Sequence, residues 1–169
     1  MTNLIPDKFE INGKFRFVEA WRFPVQVEKF CKDLFKTLQI HEKSVTHVCC
    51  GKSKFGGLRI DLDAELKPDI AADVLDLPWI LGENSQHHIL ADLPWQIGYH
   101  DRRYFSYAMR DIVEENGYVL VNAPWYPWVK GLKFLRVYKV FQSFNSYRDI
   151  VDFWLFQKLT KRETEIYYD

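Results

Sequence analysis

The tetrapeptide Asp-Leu-Pro-Trp occurs twice, at Asp76–Trp79 and at Asp92–Trp95. A carboxylate, a proline and an indole this close together make either a catalytic loop or an ordinary turn. The second copy directly follows the apolar run "HHILA", so Asp92, Leu93, Pro94 and Trp95 stand where a strand would end. Two further acids follow apolar runs in the same way: Asp61 after "GLRI" and Asp73 after "DIAA". An acid after one strand suits a ribose diol, because a carboxylate can accept from both hydroxyls. An acid after the next suits an exocyclic amine. Together they imply a nucleoside-containing ligand, and no segment has the form of a phosphate cradle. His47, Cys49, Cys50, His87 and His88 bring metal-ligand residue types together, but their spacing matches no C-x-x-C pattern. Alternate residues of a strand also point to opposite faces, so no metal site is expected. Nothing in the sequence pairs either thiol with a base, so no catalytic cysteine is expected.

The elements that would position these groups can be read from periodicity. "PVQVEKFCKDLFKTLQI" has Val27, Phe30, Cys31, Leu34, Phe35 and Leu38 on one helical stripe, with Pro24 suited to its first turn. Val45–Cys50 is short, apolar and halted by Gly51, which predicts a buried strand and a tight turn. "GLRIDLD", a weaker "DIAADVLDLPW" and "HHILA" predict three more strands, with "LGENSQ" a turn. Asp101–Asn116 predicts a second helix with apolar positions Tyr104, Phe105, Ala108, Met109, Ile112 and Val113, an Asp101 cap and a Gly117 stop. "YVLVN" is a fifth strand leading into the loop "APWYPW". "KFLRVYKVFQSF" and "DIVDFWLFQKL" predict a terminal hairpin around "NSYR". Upstream, the basic/aromatic alternation from Lys14 reads as a short edge strand or an ordered arm. Strands alternating with helices predict an α/β fold with a mostly parallel sheet and a C-terminal antiparallel hairpin.

The chain has 169 residues with 23 basic and 23 acidic side chains. That length predicts one domain, divided into an arm and helix (1–43), a core sheet (44–159) and a tail (160–169). The charge balance gives no global basic field of the kind that marks many nucleic-acid binders. Three cysteines, two of them adjacent, do not form a disulfide framework and suggest a reducing compartment. No signal-like start and no apolar run of membrane-spanning length are present. A cytoplasmic protein is expected, or one of the host cytoplasm if the source is viral, with no membrane partner.

From Val45 to about Leu159 the sequence resembles the class I S-adenosylmethionine-dependent methyltransferases, which have a Rossmann-like fold. It is most similar to the amino-methyltransferases with an Asp-Pro-Pro-aromatic loop after the fourth strand, a group that includes adenine-N6 methylases of DNA and RNA. "VTHVCCGKS" takes the glycine-loop position, "RIDLD" the ribose-binding position, "ADVLDLPW" the third motif and "ILADLPW" the catalytic one. The resemblance implies S-adenosyl-L-methionine as cofactor, framed by Cys49, Cys50, Gly51, Asp61, Asp73 and Val74. It places Asp92, Leu93, Pro94 and Trp95 in the catalytic loop. There Asp92 and the Leu93 carbonyl would accept from the amine, Pro94 would stiffen the loop, and Trp95 would stack on an extruded or unpaired base. The pattern departs from the family in three places: Gly51 is the sole loop glycine, His47 stands where an acid is common, and Leu93 replaces a proline.

The resemblance leaves no segment for a large recognition domain. Recognition of DNA or RNA would come from short loops, the N-terminal segment, a partner protein or a second subunit. Lys130, Lys133, Arg136 and Lys139, with Arg102 and Arg103, form a candidate phosphate-contacting patch. "APWYPW" reads equally as a substrate wall or as a stiff loop over the core. The first Asp-Leu-Pro-Trp reads as a structural turn with a packed tryptophan. The alternatives to nucleic-acid methylation are methylation of a protein or small-molecule amine, and an inactive methyltransferase-like binding protein.

Overall fold

The computed structural model describes residues 8–11, 14–17, 25–93, 97–141 and 150–168. Lys8–Ile11 (β1) and Lys14–Phe17 (β2) form a separate antiparallel pair, so the Lys14 alternation begins as the second strand of a small hairpin. Val25–Thr37 is helix α1. Its stripe is as expected: Val27, Cys31, Leu34 and Phe35 are buried, and Phe30 and Leu38 pack at the margin. Pro24 lies outside the described residues.

The main sheet has seven strands: β3 (Val45–Val48), β4 (Leu58–Asp61), β5 (Ile70–Ala71), β6 (His88–Asp92), β7 (Tyr118–Asn122), β8 (Leu132–Phe141) and β9 (Ile150–Lys158), in the order β5-β4-β3-β6-β7-β9-β8. The first five are parallel, and β9 and β8 add an antiparallel pair at one edge. This is the expected α/β arrangement. The strand order reverses between β3 and β6, the topological switch at which open α/β sheets bind ligands. The turn "NSYR" between β8 and β9 lies outside the described residues.

Strand parity divides the core in two. Val48, Ile60, Ile89, Ala91, Val119 and Val121 face one side, under Leu77 of α2 (Leu77–Leu81) and Ala108, Met109 and Ile112 of α3 (Arg102–Ile112). Val45, Leu90, Leu120, Phe153 and Leu155 face the other, under α1 and Phe55. All four residues of β3 are buried, as befits a central parallel strand covered on both faces.

Several local expectations are corrected. α3 ends at Ile112 rather than near Asn116, because Val113 leaves the helical conformation and bridges Gln86. Asp101 makes no side-chain cap; its carbonyl accepts from the Tyr104 and Phe105 amides instead. Tyr104, expected on the apolar face, is 59% exposed. Lys161–Tyr168, read only as a tail, is helix α4. It starts with a reciprocal cap in which the Thr160 hydroxyl accepts from the Glu163 amide (3.2 Å) and the Glu163 carboxylate from the Thr160 amide (2.8 Å).

The β3-to-β4 crossover contains no helix. Parallel neighbours are usually joined by about a dozen residues or more, most often a helix; here loop 49–57 makes the crossing alone. Tight packing permits this. Cys49 and Gly51 adopt φ of 55° and 54°, and Gly56 adopts 110°. A Cβ on Gly57 would stand 1.9 Å from the Lys43 carbonyl oxygen. Cys50, Ser53 and Phe55 fill the space under the loop.

Candidate functional site

In the parallel register, Ile60, Val48, Ala91 and Val121 lie side by side on β4, β3, β6 and β7. All four point into the α3-side core. The next residue on β4, β6 and β7 therefore turns to the α1 side, at the carboxyl end of the sheet. Those residues are Asp61, Asp92 and Asn122; Cys49 lies past the end of β3 with a φ of 55° and packs against the α3-side core. Neighbouring strands are about 4.8 Å apart, so the two carboxylates of this row stand on the order of 10 Å from each other, with the end of β3 between them.

Specific bonds hold the row. One Asp61 oxygen accepts from the Gly51 amide at 2.8 Å and the other from the Asp63 amide at 3.0 Å, tying the tight turn to the end of β4. Each oxygen retains acceptor capacity for a ligand hydroxyl. Asp92 accepts from the Asn122 side-chain amide at 2.9 Å. Asp73 accepts from the Leu75 amide at 3.0 Å and caps the 3-10 turn Val74–Asp76. Val74 itself is buried in the α3-side core, so its side chain supports the turn from below. Leu93 is likewise buried, on the side opposite Asp92. Pro94 and Trp95 lie outside the described residues.

Burial dominates the electrostatics. It pushes the Asp92 carboxyl up to about 8; the bond from Asn122 opposes the rise and the Asp61 charge adds to it. Burial also raises the Cys49 thiol well above its usual range, reinforced by Asp61, Asp92, Cys50 and Asp73. Three carboxylates thus act on one point, and none of them is ion-paired among the described residues. The Cys50 thiol is pushed up to about 11, chiefly by burial, and Cys31 on α1 is raised by burial and by Asp92. These thiols are free and protonated at neutral pH, which does not suit a nucleophile. His47 is wholly buried, and burial lowers its imidazole to about 4. Its Nδ1 lies 3.0 Å from the Phe55 carbonyl. Among the described residues no group of three or more His, Cys, Asp or Glu side chains could hold a metal ion.

Asn122 is not among the site residues that the sequence predicts. Its signal lies in the register: it is the last residue of the strand next to Asp92, and it is only 1% exposed. The two Asp-Leu-Pro-Trp copies separate clearly. The first starts α2, with Pro78 in the opening turn, so it is a helix start and not a turn. Its Trp79 is 92% exposed, which corrects the expected packed tryptophan. The basic patch is split. Lys133 and Arg136 pair with Gln157 and Leu155 on one face of the hairpin, whereas Lys139 pairs with Asp152 on the other and bonds to it at 2.7 Å. Arg102 lies elsewhere, with its guanidinium 4.4 Å from the Trp125 ring centre. The "APWYPW" loop is pinned at Ala123, whose carbonyl accepts from the Trp154 indole, and by the Trp128 indole donating to Leu132. Cavities of about 450 and 480 Å³, one between α1 and Phe55 and one beside Arg110 and α4, lie away from the carboxylate row. No helix among the described residues is long and apolar enough to cross a membrane.

No family model and no curated protein matches the sequence. Solved structures do match the fold. yhhF from Escherichia coli, an inferred methyltransferase, superposes with a TM-score of 0.54 at 14% identity, over 92% of this chain and 100% of its own. PH1948 from Pyrococcus horikoshii, an inferred RNA methyltransferase, gives a TM-score of 0.53 at 14% identity, over 75% of this chain and 80% of its own. TrmN from Thermus thermophilus is matched at 17% identity and a TM-score of 0.48 over 60% of this chain, which spans 36% of the TrmN length. The chain therefore has the Rossmann-like methyltransferase fold, with its carboxylate row at the carboxyl ends of the central strands.

Proposed function

We propose that this chain is an S-adenosylmethionine-dependent N-methyltransferase acting on an exocyclic amine, that of adenine in DNA or RNA. The observation that carries the reading is Asp92: an acid at the end of β6, oriented by Asn122 and flanked by Asp61 in one register row. The donor set fits the cofactor. Carboxylates without cationic partners among the described residues suit a ligand bearing a sulfonium and an ammonium. Asp61 retains acceptor capacity for a ribose diol, Gly51 and Cys49 shape the turn beside it, and Asp73 with Val74 forms the next wall. When bound, the cofactor supplies an electrophilic methyl group.

The residues of the chain do the rest. An aromatic amine is a weak nucleophile because its lone pair is delocalised into the ring. In the ionised form Asp92 accepts a hydrogen bond from that amine and takes its proton as the new N–C bond forms. A carboxyl with a pKa near the working pH is suited to that transfer. Asn122 keeps the acceptor oxygen aimed, which is a positioning role. By the family resemblance, the Leu93 carbonyl is the second acceptor, Pro94 stiffens the loop and Trp95 stacks on the base. The test is transfer of labelled methyl from S-adenosylmethionine to adenine-containing DNA or RNA, with Asp92→Ala as control. Label that persists undiminished in Asp92→Ala overturns the assignment.

One observation favours a second reading, a non-catalytic binding protein: the helix-free crossover after β3 replaces the usual glycine-rich turn into a helix. Thermal shift separates the two. Stabilisation by the cofactor without transfer to any nucleic acid, protein or small-molecule amine supports the binder. No stabilisation at millimolar cofactor defeats both.

A further inference from the structure

An aromatic and cationic surface at the start of α3 is not used by the chemistry above. Tyr99 is 78% exposed and Tyr104 59%. His100, Arg103, Tyr104 and Tyr107 follow i, i+3, i+4, i+7 spacing, so they form one stripe along the start of α3. The outward stripe of a surface helix is ordinarily polar; this one is mostly rings. With Tyr99 it lines an open groove of about 390 Å³.

The cations of this surface are held by π-faces. The Arg102 guanidinium lies 4.4 Å from the Trp125 ring centre and 5.9 Å from that of Tyr99. Arg103 donates to the Tyr107 hydroxyl at 2.9 Å. Neither arginine is ion-paired among the described residues. A guanidinium has five N–H donors, so both keep donors for an anion. Arg110, farther along the helix, is satisfied by Asp111 and the Lys130 carbonyl. The surface thus offers ring faces for flat groups and two unneutralised cations for phosphates. β6 ends at Asp92 and α3 begins at Arg102, which places this surface close to Asp92 in the chain.

We infer that Tyr99, Arg102, Arg103, Tyr104, Tyr107 and Trp125 form a platform that binds single-stranded nucleic acid beside the methyl-transfer site. The inference deepens the proposed function and rests on it for the identity of the substrate. Stacking requires bases whose faces are free, which a duplex does not offer, and exposed rings with arginine are the common means of gripping single strands. Such a platform supplies recognition in a chain whose acidic and basic residues balance at 23 each.

The test is fluorescence anisotropy with a labelled oligo(dA) of about twelve nucleotides, single-stranded and as a duplex, without cofactor. The single strand is expected to bind more tightly than the duplex. Tyr104→Ala should weaken it about tenfold, within the range of one stacked base. Arg103→Gln should weaken it and reduce the salt slope by about 0.7, the loss of one phosphate contact. Both residues are exposed, and circular dichroism confirms that the variants fold. Equal binding of strand and duplex, no binding at low salt, or unchanged affinity in the Tyr104→Ala, Arg103→Gln double variant overturns the platform. Labelled-methyl transfer to the same oligonucleotide separates the two claims. Binding lost in the variants while wild type transfers no methyl keeps the platform and removes the nucleic-acid enzyme. Transfer with KM unchanged in the variants does the reverse.

Discussion

Replacing Asp92 with asparagine should stabilise the protein, and by more as the pH rises. Burial holds the Asp92 carboxyl at about 8 against an ordinary value of 3.8. The folded chain therefore keeps a proton that the unfolded chain releases between those values. Stability falls with pH wherever the folded state binds more protons, so this group's contribution is complete below about pH 4 and is lost as pH climbs through 8. A full proton difference is worth about 1.4 kcal/mol per pH unit. Because Asp92 is only partly buried by surface, about half to all of that is expected, or about 2–4 kcal/mol between pH 5 and pH 8. The substituted amide cannot ionise, and its carbonyl can still accept from Asn122. The stability difference between variant and wild type should thus open by about 2–4 kcal/mol over that range, in favour of the variant. Titrating groups that do not interact with Asp92 act equally in both proteins and cancel. Urea unfolding at each half pH unit measures the difference, and an unchanged m-value shows that the same transition is followed. Parallel stability curves, or a wild type that gains on the variant as pH rises, would refute the reasoning. Asp92→Asn should also abolish methyl transfer, so stability and activity separate at one position.

Asn122→Ala removes the bond that holds the Asp92 carboxyl down; its pH–rate profile should move to higher pH, with kcat recovering in part near pH 9, whereas a purely structural loss would lower the profile at every pH. His47→Gln should flatten the acid limb of stability: burial lowers this imidazole to about 4, so stability present above about pH 6.5 is lost as pH falls through 4, and wild type should lose about 1–3 kcal/mol relative to the variant between pH 6.5 and 4.5 in urea unfolding. Gly57→Ala would drive a Cβ to 1.9 Å from the Lys43 carbonyl, whereas Gly82→Ala meets nothing within 4 Å but has a φ of +86°. By thermal unfolding Gly57→Ala should cost about 2–4 kcal/mol and Gly82→Ala about 1–2; equal losses would show that loop 49–57 is not clamped there.

How much of this is legible in the letters depends on whether each signal is local. The strands follow from apolar runs, their mostly parallel arrangement from the alternation of strands with helices, and the α1 stripe from simple periodicity. Asp61, Asp73 and Asp92 stand out because each follows its apolar run directly. Asn122 escapes notice because an amide after a strand has no chemistry of its own until register sets it beside an acid. Tyr104 reads as core because it falls at helical spacing with Ala108. Periodicity marks a stripe, and this helix has two, one buried and one ringed with exposed aromatics. The Asp101 cap fails because its backbone is already helical (φ −84°, ψ −19°), whereas a side-chain cap needs extended backbone. The Thr160–Glu163 box is present in the letters and stays unread when the segment is taken as a tail.

Strand parity then explains why identical tetrapeptides differ. The second Asp-Leu-Pro-Trp begins with the last residue of β6. Leu90 faces α1 and Ala91 faces α3, so Asp92 must turn back toward α1, into the same row as Asp61 and Asn122. The first copy begins as a 3-10 turn closes, with no neighbouring strand to fix its parity. Its Asp76 is exposed, and its leucine alone enters the core. A one-residue shift of β6 against β7 would exchange Asp92 with Leu93. The apolar residues Ile89, Leu90, Ala91 and Leu93, buried on alternating faces, oppose that shift. The packing that forms the sheet therefore also aims the acid, and little beyond Asn122 is needed to keep it there.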